Sequence, residues 1–258
     1  MLAKTLAEGL AAGSGDRRRY IGDVWKHAVH RHLTAEFSRP PFWATFYPIE
    51  GIHCLTTGSA TAGAAAQWFL QIAAGDNEVR QALLRAVADA RAASDGLVFL
   101  PYLRGERAPL FNPSARGIFF GLTARHTAAD MYRAVVEGIG FSLRHVLEEM
   151  KPDSRPILTS GGGSNLHLPL QLAVDAAGVS QLRARHGRNA CYGAAVLAGL
   201  GIGCIKRSAL DDQFFGAFDE VNPSQALASE LDAGYELYRK VGESCAELFK
   251  LPTNTRLT

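Results

Sequence analysis

The stretch ILTSGGGSNLHLPLQLAVDAA, residues 157–177, decides the fold that the sequence predicts. Its first four residues form a short apolar run of the kind found in buried strands, and residues 165–177 carry a helical pattern. Between them, Gly161, Gly162 and Gly163 predict a tight turn in which a ligand can approach the backbone closely. The free N–H groups of the following helical turn favour an anionic or polar ligand. Two interpretations stay open: a nucleotide site, and a tight turn that serves only helix–sheet packing.

Further strands and helices alternate on both sides of this unit. Strands are predicted at residues 49–57, 96–101, 117–122 and 180–184, and helices at residues 59–74, 77–93, 127–150, 192–200 and 223–249. Ser59 is the expected N-cap of the first of these helices. Residues 102–116 are expected to form an ordered loop. Strands that alternate with helices predict an α/β fold with a largely parallel sheet.

The first 46 residues differ from the rest, since their periodicity is weak. We therefore divide the chain into an atypical N-terminal segment, residues 1–46, and a folded domain, residues 47–258. Three histidines of the first segment, His27, His30 and His32, could bind a metal ion, but nothing else there completes a set of ligands. We accordingly assign no residue to a metal site.

Composition and charge exclude several classes of protein. With 258 residues, of which 47% are hydrophobic, the chain can bury a substantial core, so disorder is not expected. A formal net charge of +2 predicts no nucleic-acid partner. The four cysteines lack metal-ligand spacing, and no stretch is apolar over the length that a membrane span or a signal peptide needs. We therefore expect a cytoplasmic protein that contacts neither nucleic acid nor membrane.

A second segment of small residues, TGSATAGAAAQWF, occupies residues 57–69. It places Gly63 and Gln67 four residues apart, and hence on one face of the predicted helix. The amide of Gln67 could bond to a hydroxyl or a phosphate of a ligand. Close packing of the helix through Gly and Ala explains the same residues, so that periodicity does not decide between the two.

Charged residues in two places are further candidates for a site. Arg104, Glu106, Arg107 and Arg116 concentrate charge in the predicted loop, where they could line a site or form ion pairs in solvent. Glu137 lies within the apolar pattern of the helix at 127–150, where an arginine partner is a more natural explanation than catalysis. The fingerprints of dinucleotide-binding, P-loop, serine-hydrolase and protein-kinase sites are absent from the sequence.

A series of motifs resembles the FGGY family of carbohydrate kinases. The stretch GIFFGLTARHTAADMYRAVVE, residues 117–137, is similar to the second signature of that family, and it complies at Gly117, Phe119, Gly121, Leu122, Asp130, Met131, Ala134, Val136 and Glu137. The stretches LPYLRGERAPLFNPSARG, SGGGSNLHLPLQLAVDAAG and YGAAVLAGLG match as well, in the family's order. The resemblance covers about residues 48–203.

This resemblance implies an actin-like ATPase or ribonuclease H-like lobe with a mixed sheet flanked by helices. Residues 47–258 look like the C-terminal nucleotide-binding lobe of the family, which transfers the γ-phosphate of ATP, bound with Mg²⁺, to a hydroxyl of a sugar or polyol. By resemblance, Gly161, Gly162 and Gly163 hold the adenosine, while Gly63 and Gln67 contact the nucleotide. Within the family, xylulokinase and related pentulose or gluconate kinases look most similar.

The sequence departs from the family in three respects. The sugar pocket and the catalytic base of the family lie mostly in an N-terminal lobe that these residues do not match. A Gly-Thr-rich phosphate hairpin is not recognisable in residues 1–46, and Leu166 stands where relatives often have Asn or Ser. We therefore expect no catalytic residue in this chain, no sugar phosphorylation by the chain alone, and either self-association or a complementary lobe as partner. The alternative is a degenerate, non-catalytic lobe that serves as a nucleotide-binding or interaction module.

Overall fold

A computed structural model of the protein describes residues 20–23, 27–31, 42–46, 53–150, 157–160, 164, 166–184, 190–206 and 218–251. The described residues form nine strands and six α-helices. The strands are β1 (Tyr20–Asp23), β2 (His27–Arg31), β3 (Trp43–Phe46), β4 (His53–Thr57), β5 (Val98–Leu100), β6 (Ile118–Phe120), β7 (Ile157–Ser160), β8 (Gln181–Ala184) and β9 (Phe218–Val221). The helices are α1 (Gly63–Ala73), α2 (Asn77–Ala86), α3 (Ala128–Met150), α4 (His167–Ala177), α5 (Ala190–Gly201) and α6 (Ala228–Ser244).

Seven of the described strands form one mixed sheet in the order β3-β4-β2-β1-β7-β8-β9. The pairs β1–β7 and β7–β8 are parallel, and the other four pairs are antiparallel. The prediction of a largely parallel sheet is therefore wrong, because β1 to β4 follow one another through connections too short for a parallel crossover. The mixed sheet flanked by helices, implied by the resemblance, is confirmed. A second pair of strands, β5 and β6, forms a separate antiparallel ribbon.

Strands from both sides of residue 46 belong to the same sheet. β1, β2 and β3 precede that residue, and β4 and β7 to β9 follow it. The division into residues 1–46 and 47–258 stays a prediction about domain organisation, but it does not coincide with an edge of this sheet.

The long helix α3 lies at the centre of the helical layer and packs along α4. The close approach requires glycine, since a Cβ atom on Gly140 would lie 2.6 Å from the carbonyl oxygen of Ala173 and 2.6 Å from the Cβ of Ala176. One core cluster joins α3 to buried side chains of α1, α2 and β5, including Phe69, Leu83 and Phe99. Helices α1 and α4 therefore both pack against one common helix.

Most of the predicted helices and strands are confirmed within a few residues, but the bounds of three helices are wrong. The helix predicted over residues 223–249 is α6, Ala228–Ser244, with separate 3-10 turns at Gln225–Leu227 and Leu248–Lys250. The N-cap of α1 is Ala62 and not Ser59, and it makes no side-chain capping bond. Helix α2 ends at Ala86 and not near residue 93. Beyond Ala86, backbone groups at residues 90 and 93 form hydrogen bonds with side chains of α3 instead of continuing the helix. Arg133 donates to the carbonyl oxygen of Ala90, and the backbone N–H of Ala93 donates to Glu137. Among the described residues, no helix combines the length and apolar character needed to cross a membrane.

Candidate nucleotide site

The topology brings the ends of β4 and β7 to the same edge of the sheet. Strand β4 runs parallel to β1, because both are antiparallel to β2, and β1 runs parallel to β7. The register also places the ends of these strands side by side. Thr57 of β4 lies opposite His27 of β2, which lies opposite Gly22 of β1. Gly22 in turn lies opposite Thr159 of β7. Three strand spacings separate Thr57 from Thr159, which is about 14 Å. A helix follows each of the two strands after five or six residues, so the starts of α1 and α4 flank this edge.

The turn between β4 and α1 carries the first pair of predicted site residues. Gly63 is the first residue of α1 and is half-buried, whereas Gln67 is exposed one helical turn later. Ala62 offers no capping side chain, and its carbonyl oxygen accepts the N–H of Ala65 at 2.7 Å, so the N–H groups of Gly63 and Ala64 receive no acceptor from it. An exposed amide beside the N-terminal N–H groups of a helix suits a polar or anionic ligand. The structure thus places Gly63 and Gln67 on one face, as the sequence predicts.

The second set of predicted site residues falls between β7 and α4. Gly161, Gly162 and Gly163 lie outside the described residues, so that their contact with adenosine stays a prediction. Their flanks are described: β7 ends at Ser160, and α4 begins at His167. Leu166 is the N-cap residue of α4, makes no side-chain capping bond, and leaves 56% of its surface exposed.

The end of β4 and the turn that follows it carry four buried polar side chains. Thr56 and Thr57 end the strand, and Ser59 and Thr61 lie in the turn. Glu106 reaches this turn from the loop at 102–116, and only 3% of its surface is exposed. Its Oε1 atom accepts the backbone N–H of Ala60 at 2.9 Å and that of Arg107 at 2.7 Å. Burial outweighs these bonds and raises the pKa of Glu106 to about 7.

The other charged candidates lie apart from this turn or at the surface. Arg104 and Arg107 are exposed, and Arg116 donates to the carbonyl oxygens of Pro113 and Ala115. The structural interpretation of Glu137 is confirmed, since its Oε1 accepts from Nε of Arg133 at 2.7 Å inside the core. Burial raises the pKa of Glu137 although Arg133 opposes the shift.

Sequence reasoning missed two features of this edge. The strands β1 and β2 form an antiparallel pair between β4 and β7, and the segment from 24 to 26 that joins them lies outside the described residues. Their only sequence signal is the short β-forming runs in YIGDVWKHAVHR. The bond from Ala60 to Glu106 spans 46 residues, and no local pattern encodes it. The side chains of His27 and His30, and all of His32, lie outside the described part of the chain.

Solved structures share this fold. The xylulose kinase of Rhodospirillum rubrum superposes with a TM-score of 0.79 over 95% of this chain and 51% of its own, at 23% sequence identity. The xylulose kinase of Lactobacillus acidophilus superposes with a TM-score of 0.78 over 96% of this chain and 50% of its own, at 24% identity. The protein is therefore an α/β lobe of the actin-like ATPase fold, as it is found in sugar kinases.

The family follows from the sequence match. The model for the C-terminal domain of the FGGY family of carbohydrate kinases matches residues 32–202, and the chain belongs to that family. The xylulose kinase of Staphylococcus epidermidis is 33% identical over 184 residues, which are 68% of this chain and 37% of that protein. The glycerol kinase of Geobacter sp. strain M21 is 35% identical over 200 residues, which are 73% and 39% respectively. The chain thus spans about two fifths of the length of these curated relatives.

Proposed function

We propose that this chain is the nucleotide-binding C-terminal lobe of a kinase that transfers the γ-phosphate of ATP to a sugar hydroxyl. The observation that supports this most is the arrangement of two turn–helix units along one edge of the sheet, in a chain of the FGGY family. Phosphoryl transfer depends on positioning and on electrostatic stabilisation more than on covalent chemistry, so a lobe that orients the nucleotide supplies an essential part of it.

Each of the two units has its own task in this proposal. The first N–H groups of α1 and the amide of Gln67 bind the polar part of the nucleotide, and Gly161, Gly162 and Gly163 form the turn that accepts the adenosine. The described residues contain no group of three or more His, Cys, Asp and Glu side chains placed to hold a metal ion. Mg²⁺ is commonly held by phosphates, waters and one or two carboxylates. We therefore propose that Mg²⁺ enters together with ATP.

The acceptor is proposed to be a pentulose such as xylulose, or a related sugar or polyol, since xylulose and glycerol kinases stand among the relatives. A kinase also needs a base to accept the proton of the hydroxyl. By family resemblance that base and the sugar pocket belong to an N-terminal lobe, so these 258 residues alone are expected to leave sugar unphosphorylated. A complementary lobe, or a second copy of the chain, is the proposed partner.

Calorimetric titration of the purified chain with MgADP tests this proposal. We expect saturable binding, its loss in Gly162→Leu, and a loss of about two- to tenfold in affinity in Gln67→Ala, the worth of one hydrogen bond. Gln71→Ala is the matched control, because Gln71 is exposed one turn further along α1. A folded wild-type chain that takes up no MgADP, or variants of Gln67 and Gln71 that behave alike, would contradict the proposed site.

Leu166 supports a second candidate function, that of a non-catalytic lobe acting as an interaction module. Its largely exposed apolar side chain lies at the start of α4, where relatives often place a polar residue. A Leu166→Asn variant separates the two candidates. If the substitution creates nucleotide binding that the wild type lacks, the site has decayed and the second candidate is favoured. If both proteins bind MgADP, the kinase lobe is favoured.

A further inference from the structure

We propose that Glu106 is a positioning residue for the nucleotide site, because its buried carboxylate holds the turn from which α1 starts. This inference rests on the proposed function. Glu106 lies 43 residues after Gly63 in the chain, in the loop at 102–116, and it is not among the residues that the family resemblance assigns to the nucleotide.

The backbone around Glu106 is held firmly in place. The N–H of Glu106 donates to the carbonyl oxygen of Asn112 at 2.8 Å, and the N–H of Asn112 donates back at 2.7 Å. Gly105 has a φ of 74°, and a Cβ atom there would lie 2.6 Å from the carbonyl oxygen of Pro113. The loop is thus closed on itself directly beside Glu106, and its carboxylate is presented from a fixed backbone.

The carboxylate supplies what the sequence of α1 lacks. Helices usually begin at Ser, Thr, Asp or Asn, whose side chain fixes the first turn, but α1 begins after Ala62 without a side-chain cap. The bond from the N–H of Ala60 to Oε1 of Glu106 lies two residues before that N-cap. It therefore fixes, from outside the helix, the backbone that leads to Gly63 and Gln67.

The surroundings of Glu106 make the strength of this contact depend on its charge. Arg107, which is exposed on the same loop, is the cation whose charge lowers the pKa of Glu106 and so favours the ionised carboxylate. The buried hydroxyls of Tyr102 and of Tyr238 on α6 lie 2.9 Å apart, and burial raises the pKa of both well above neutral pH. The turn itself contributes Thr61, whose Oγ1 is buried without a partner. An ionised carboxylate accepts a stronger hydrogen bond than a neutral one, so the contact strengthens as Glu106 loses its proton.

Titration of the chain with MgADP at several pH values tests the inference. In Glu106→Ala the N–H of Ala60 loses its acceptor, and affinity at pH 8 should fall about tenfold. Glu106→Gln keeps a neutral acceptor, so it should recover part of the affinity, about threefold weaker than the wild type at pH 8. The wild type should approach the Gln variant at pH 6, and the ratio of their affinities isolates Glu106 because the phosphate of ADP itself titrates in this range. Ser114→Ala, in the exposed part of the same loop, should match the wild type throughout.

Amide hydrogen exchange shows whether the turn itself responds. Residues 60–66 should exchange faster in Glu106→Ala than in Glu106→Gln, while the amides of α3 stay protected in both. A folded Glu106→Ala variant with wild-type affinity, or affinity ratios that do not change between pH 6 and pH 8, would overturn the positioning role. Absence of MgADP binding by the wild type is a different result, because it removes the proposed function itself and with it any role of Glu106 in it.

Discussion

Replacing Glu106 by Gln should stabilise the protein, and the gain should depend on pH. Burial raises the pKa of this carboxyl from 4.5 to about 7 in the folded chain. The folded state therefore binds the proton more tightly than the unfolded state does. The stability that the protonated group contributes is fully present below pH 4.5 and is lost as the pH rises to 7. A pKa difference of this size between the folded and unfolded states amounts to about 3 kcal/mol in the free energy of unfolding.

Glutamine stays neutral at every pH and so avoids this loss. The variant should match the wild type near pH 4 and should exceed it by up to about 3 kcal/mol in free energy of unfolding at pH 8. Urea unfolding, followed by circular dichroism at pH 4, 5, 6, 7 and 8, measures the difference. Glu149→Gln is the control, because Glu149 is exposed at the end of α3. A difference between Glu106→Gln and the wild type that stays constant from pH 5 to pH 8, or a wild type that is more stable at pH 8, would refute the reasoning.

Two further predictions concern the core around α3. Gly140→Ala should lower the free energy of unfolding, measured by heat or urea, by about 1–3 kcal/mol, because its methyl group would meet the backbone of α4 at Ala173. Gly201→Ala is the control and should leave the stability unchanged, since no atom lies within 4 Å of the new Cβ. Arg133→Ala should cost about 3–5 kcal/mol at neutral pH, because it leaves the buried Glu137 without its cation. Replacing Glu137 by Gln as well should recover part of that loss, and a double variant no more stable than Arg133→Ala would contradict the pairing.

Periodic and local signals explain what could be predicted from the sequence. Helix α3 carries apolar residues at helical spacing over 23 residues, and its observed start differs by one residue from the predicted one. The unit of β7 and α4 is equally local, with a short apolar strand, three successive glycines and a helix in 21 consecutive residues. Such segments need no distant partner to be recognised.

The strands β1, β2 and β3 could not be predicted in this way. Each has only four or five residues, which is too short to show a reliable alternation. They gain their stability from pairing, and β1 pairs on one side with β7, which lies more than 130 residues later in the chain. The same holds for the C-terminal end of α2, where Arg133 and Glu137 bind backbone groups of residues 90 and 93 that a longer helix would have used itself.

Glu106 shows why a candidate site is harder to predict than a fold. In the sequence it is the one carboxylate among four charged residues of a loop, and nothing nearby indicates that it is buried while Arg104 is exposed. Its burial depends on a turn 46 residues earlier, to which it is the hydrogen-bond acceptor. Long-range contacts of this kind decide which charged residue of a loop acts on a site.

The two consequences of that contact oppose each other. The ionised form of Glu106 accepts the stronger bond from Ala60, but it is also the form that burial penalises. The turn before α1 is therefore held most firmly when Glu106 is ionised, which is also the form in which the folded chain is least stable. If the turn positions the nucleotide, Glu106→Gln should be the more stable and the weaker-binding protein at pH 8, a combination expected where function and stability compete. A variant that gained stability without losing affinity would show that the charge of Glu106 destabilises the folded chain but plays no part in positioning the nucleotide.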